Sequence, residues 1–241
     1  MDGQEQQAAV RPKHYLHFAV LVVLLILGVF AAARFRMWQT PREEKRQLVL
    51  VNLWNPVSET GYVPNLVEIE DGIMADRLCA EAASHMLAEC RATGLRPKIL
   101  TAYRSVDDQL DMYDREVQKL VDQGMSPGNA EAEVSRMIAP PGRSEHQLGL
   151  ALDLVDEAFP ETSDRQAQTD VARWLTENAW RYGFILRYPL GGEEATGCSW
   201  HPWHYRYVGP DAAQNMYSLG ITLEEYLSLF FSEEASVVYD T

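Results

Sequence analysis

The chain has 241 residues, 46% of them hydrophobic, and a formal net charge of −14 at pH 7. That length and apolar content suit one core of ordinary size, and no internal period points to a repeat array. Only four of the 35 acidic residues precede residue 48, against seven of the 21 basic ones, so the bulk of the chain is strongly negative. This argues against nucleic acid as a partner.

In chain order, a 17-residue lead is followed by FAVLVVLLILGVFAAA, residues 18–33, which carries no charge. With Tyr15, Leu16 and His17 the run is long enough to cross a bilayer. It exceeds the apolar core of about 7–15 residues usual in a cleaved signal, so it reads as a transmembrane anchor. The small residues Ala31 and Ala33 keep secretion after cleavage near Ala33 as the alternative. Residues 34–47, RFRMWQTPREEKRQ, are charged and aperiodic and read as a juxtamembrane linker. Arg34, Arg36, Arg42, Lys45 and Arg46 outnumber Arg11 and Lys13, which by charge alone would leave 48–241 inside the cell, but long domains translocate largely regardless of such charges.

LVLVNLWNPV opens the folded domain, 48–241, as a strand or arm. Leu78, Ala82, Met86 and Cys90 recur every four residues before Gly94 and predict a helix over 75–93. Cys79 and Cys90 lie about 16 Å apart along such a helix, too far for a disulfide. KILTAYRS predicts a strand, Leu110 to Leu120 an amphipathic helix, and 129–138 a shorter one. Ser163 with Gln166 reads as the capping box of a helix through Val171, Trp174 and Leu175 that Gly183 ends. FILRYP and WHYRYVG predict strands flanking the loop 190–200, and LEEYLSLFF a closing helix. Strands mixed with segregated helices imply an α+β domain, a small sheet with helices packed around it.

In SEHQLGLALDL, 144–154, leucines alternate with small or acidic residues, which predicts a half-buried strand showing Asp153 on the face away from the leucines. A carboxylate there needs a partner. His146 stands seven positions back, and odd spacing lets the two meet only if the chain bends, for which Gly149 is suited. His204 could complete two imidazoles and a carboxylate, a zinc set with one open position. Spacing alone leaves this reading open beside unrelated turn and core histidines, because no compact HExxH is present. Cys198 is a buried thiol on this reading, with metal ligation as its alternative.

APPGRSEHQLGLALDL, GFILRYP and TGCSWHPWHYRYVG, preceded in order by LVNLWNPV, YVPNLV and TAYRSVDDQ, closely resemble the VanY-type D-alanyl-D-alanine carboxypeptidases, zinc peptidases of bacterial cell-wall metabolism. The resemblance spans about 48–229. It implies a zinc DD-peptidase fold, Zn2+ bound by His146, Asp153 and His204, and Arg104 neutralising the oxyanion or holding substrate. Ser144 and Gln109 match positions that line the cleft. The implied protein is a membrane-anchored enzyme with its domain outside the cytoplasm, trimming peptidoglycan stem peptides that end in D-Ala-D-Ala. One position departs from the pattern: His201 stands where the family usually carries the catalytic glutamate, and Glu145 is a poor substitute for it. Histidine is a competent general base, so His201 is expected to be catalytic. The alternatives are an inactive zinc-containing module that binds cell-wall peptide, and a tethered scaffold.

Overall fold

Asp71-Gly72 between two short apolar runs closes a hairpin that the reading above missed. In the computed structural model, which describes residues 46–231, Asp71 and Gly72 have φ of 49° and 78°. Positive φ at both central residues is what a two-residue hairpin turn with the right twist requires. The strands it joins, β1 (Leu66–Glu70) and β2 (Ile73–Asp76), pair antiparallel. The expected membrane span and most of the linker lie outside the described residues, and no helix among those described is long and apolar enough to cross a membrane.

Asp76 accepts the Leu78 amide at 2.8 Å and so caps α1, Arg77–Ala92. Its buried face is Cys79, Ala83, Met86, Leu87 and Cys90, one position round from the predicted stripe at its start, with Leu78 and Ala82 only partly buried. Burial pushes the Cys79 thiol up to about 12 and the Cys90 thiol up to about 11. Neither should therefore react with an alkylating reagent at pH 8 until the protein unfolds. Rapid labelling of either in native buffer would contradict this packing.

The main sheet is antiparallel in the order β3-β4-β6-β5, with β3 Pro97–Thr101, β4 Ala151–Asp156, β5 Phe184–Leu186 and β6 His204–Tyr207. β3 is shorter than predicted. Its register slips between Ile99 and Thr101, and Ser105 then makes a capping box with Asp108 that starts α2, Val106–Asp122. α3 (Pro127–Val134) begins two residues before its predicted start, at a proline whose fixed φ suits the first helical turn. The helix through Val171 is α4, Asp170–Asn178, capped by Thr169 and not by Ser163. Gln166 is instead turned inward, donating to the carbonyls of Phe159 and Glu161 and accepting from the Asp156 amide, so it pins the 156–166 loop. α5 (Glu193–Thr196) and α6 (Pro210–Leu219) were not foreseen, while α7 (Leu223–Phe231) matches LEEYLSLFF. LVLVNLWNPV is an arm and not a strand, held by Val51, which is fully buried.

Residues 144–154 depart most from expectation. Only the second half is strand; Glu145–Leu148 is a 3-10 turn that ends at Gly149 with φ of 69°. β4 is buried on both faces: Leu152 and Leu154 enter the core cluster, and Asp153 faces a cleft.

Candidate metal centre

β4 and β6 are paired in a register that sets Asp153 directly opposite His204. Cross-strand neighbours bring their side chains together, and His204 Nδ1 lies 3.0 Å from Asp153 Oδ1. The Gly149 bend returns His146 to the same place, with Nε2 3.3 Å from Asp153 Oδ2. One ligand atom from each residue lies within 4.8 Å of the others, and all three side chains are buried. A Cβ on Gly149 would meet the Asp76 amide nitrogen at 2.8 Å. Gly149→Ala should cost about 1–2 kcal/mol for the left-handed backbone alone, more for the clash, and should weaken metal retention by displacing His146. A variant with unchanged melting temperature and metal content would contradict that role for the bend.

The outward nitrogens decide what the inward ones can do. His146 Nδ1 is 2.6 Å from the Ala102 carbonyl, which only accepts, so Nδ1 carries the proton and Nε2 is bare. His204 Nε2 faces Glu145 Oε2 at 3.4 Å. Burial would raise the Glu145 carboxyl, but the Arg187 and Arg206 guanidinia outweigh it and hold it well below the usual range. His204 Nδ1 faces Asp153 and Nε2 faces Glu145; with a cation between Nδ1 and Asp153, the ring would donate from Nε2 to Glu145 and offer Nδ1 as a lone pair. Burial likewise would raise Asp153, yet its contacts with His146 and His204 hold its carboxyl well below the usual range. Two imidazole lone pairs and a carboxylate then converge, an arrangement that needs a cation between them. Burial lowers the His204 pKa, but its contacts with Asp153 and Glu145 raise it overall. The donor set suits zinc.

Arg104 Nη1 donates to Gln109 Oε1 at 2.7 Å, and Nη2 stands 3.8 Å from Asp153 Oδ2. Gln109 is the buried residue of α2, and its amide donates to the Ala139 carbonyl at 2.6 Å. Both ends of this carboxamide are thus engaged, and Gln109 orients Arg104 besides lining the cleft. The cleft is about 260 Å³, with Ser144, Arg104 and His201 on its wall beside Met112, Met137 and Trp203.

His201 lies outside the three-residue group. Its ring stacks on Trp203 at 4.6 Å and meets Tyr188 edge-on at 5.4 Å. Burial, then His204, pushes its pKa down to about 4, which keeps the ring neutral. Nδ1 is 3.8 Å from Cys198 Sγ, while Nε2 is buried with no hydrogen-bond partner among the described residues. Cys198, the alternative ligand, is also outside the group; its thiol is 3.5 Å from the Arg136 carbonyl, and burial pushes it up to about 12.

Sequence reasoning missed Arg187 and Arg206, both completely buried. The signal was there: an arginine inside each apolar stretch FILRYP and WHYRYVG demands a buried acid, and Glu145 is that acid.

A family model, VanY, D-alanyl-D-alanine carboxypeptidase, matches residues 73–210. A D-alanyl-D-alanine carboxypeptidase of Enterococcus faecalis is 38% identical over 186 residues, 77% of this chain and 67% of that protein. Two solved structures are similar at 38% identity. A VanY D,D-pentapeptidase variant from a VanB-type resistance cassette, in complex with Zn(II), has a TM-score of 0.68 over 76% of this chain and 99% of that one. VanYB in complex with D-alanine-D-alanine has a TM-score of 0.69, covering 76% and 97%.

Proposed function

Because the chain belongs to the VanY family of D-alanyl-D-alanine carboxypeptidases, we propose that it is a zinc-dependent carboxypeptidase removing the terminal D-alanine from peptidoglycan stem peptides. The observation that carries this reading is the convergence of bare His146 Nε2, His204 Nδ1 and the Asp153 carboxylate at the cleft. Zinc held by these residues would supply a Lewis acid for the scissile carbonyl and would bring the pKa of water down to about 7.

The chain's own groups take the remaining tasks. Arg104, held by Gln109 beside Asp153, offers a fixed guanidinium to the developing oxyanion or to the substrate carboxylate. Ser144, buried on the cleft wall, offers a hydroxyl to the peptide. His201 occupies the place of the family's glutamate and carries the proton from water to the leaving amine. Its surroundings support that role. The Arg136 carbonyl can only accept, so the Cys198 thiol donates to it, and its sulfur can accept a hydrogen bond from His201 Nδ1–H, leaving Nε2 bare. The second reading, an inactive module that binds cell-wall peptide, is favoured by the burial of that same Nε2.

Release of D-alanine from a D-Ala-D-Ala peptide, abolished by a chelator and restored by zinc, tests the proposal. We place residues 18–33 in the membrane and the domain outside the cytoplasm, where polymerised substrate lies. Protease added to cells stripped of their wall should then degrade the domain. Complete protection would contradict that topology.

A further inference from the structure

Beneath His204 lies a buried cluster of charges that the proposed chemistry does not use. Glu145 Oε1 accepts from Arg187 Nε at 2.8 Å and from Arg206 Nη1 at 2.6 Å, and all three side chains have no exposed surface. This leaves Oε2 for His204. Arg187 spends its other donors on Glu224 of α7, at 2.8 and 2.6 Å, and Asn52 of the arm donates to the same carboxylate at 3.0 Å. Arg206 Nη2 donates to the carbonyls of Gln47 and Val49. Two carboxylates balance two guanidinia, so the cluster carries no net charge.

Such clusters are poor sources of stability, because desolvation consumes most of the attraction, and apolar replacements are often neutral or better. The place of this one suggests what it does instead. His204 has two ring nitrogens; because two guanidinia occupy Glu145 Oε1, its Oε2 is left as the acceptor that Nε2 meets, with Nδ1 on the side of Asp153. The ring is then committed to presenting Nδ1 toward Asp153. Arg187 in turn keeps its place because Glu224 and Glu145 hold it from opposite sides.

We propose that Glu145 is the positioning residue of the His204 ligand, and that Arg187 makes its hold depend on Glu224, so that α7 contributes to metal affinity without touching the metal. The inference rests on the zinc reading above.

Zinc affinity measured by chelator competition on the full chain tests it. Glu145→Gln removes the charge and can turn an amide N–H toward His204, so affinity should fall about 10–100-fold. Glu224→Gln, at the edge of the cluster, should weaken it on the order of 2–30-fold, as expected for coupling through a packed network, with the far-ultraviolet circular dichroism of the metal-free protein unchanged. Glu145→Gln could fail to fold by stranding two guanidinia, so the wild-type chain supplies a separate readout. Its imidazole nitrogen-15 resonances should show His204 bound to zinc through Nδ1 and protonated at Nε2. Binding through Nε2, or affinity unchanged in folded Glu224→Gln, would overturn the inference while leaving the metal site in place. A wild-type chain that binds no zinc would overturn the metal reading, and this inference with it.

Discussion

Asp153→Ala should leave the protein unable to retain zinc and reduce D-alanine release to background. Asp153 lies between the two imidazoles, 3.3 Å from His146 Nε2 and 3.0 Å from His204 Nδ1, and is the carboxylate of the three-residue set. Without it two neutral lone pairs face each other, a set that lacks the charge to hold a divalent ion in a buried site. The loss has a thermodynamic signature apart from activity. A ligand that binds only the folded state stabilises it by about 2.7 kcal/mol at a hundredfold excess over its dissociation constant. Zinc should therefore raise the melting temperature of the wild type and leave that of Asp153→Ala unmoved. Stoichiometric zinc in the variant would refute the ligand assignment.

His201→Ala should lower the hydrolytic rate by about 10²–10⁴-fold, the usual contribution of a positioned acid or base, with one zinc still bound, since His201 stands outside the ligand group. His201→Glu asks more. On the proposed correspondence it restores the family's acid, in a pocket walled by Tyr188 and Trp203. Activity equal to or above the wild type would place residue 201 in the base's role. Activity confined to the glutamate variant would mean that the natural chain binds its peptide without cutting it. Loss of zinc from His201→Ala would make His201 a ligand and refute the proposed division of labour.

Much of the site was legible because its residues lie in short blocks whose order is distinctive. The bend at Gly149 could be inferred from parity, since His146 and Asp153 cannot share one face of a regular strand. What parity could not show is how the bend is made, a 3-10 turn closed by a left-handed glycine packed on the Asp76 amide. A glutamine three residues after a serine has the form of a capping box, but here the Asp156 N–H claims the Gln166 Oε1 that would accept from Ser163, while loop carbonyls take the amide's donors. The hairpin at Asp71-Gly72, by contrast, carries a strong local signal, an aspartate-glycine pair between two strands. The charges under His204 were harder to see. Their pairing joins residues 145, 187, 206 and 224 through tertiary contacts that no local period encodes.

Purified wild-type protein given a D-Ala-D-Ala-terminated peptide should be followed for released D-alanine together with its zinc content. One zinc per chain and steady release of D-alanine are expected, both lost to a chelator and regained on adding zinc. One tightly held zinc with no release, while His201→Glu releases D-alanine under the same conditions, would contradict the proposed activity.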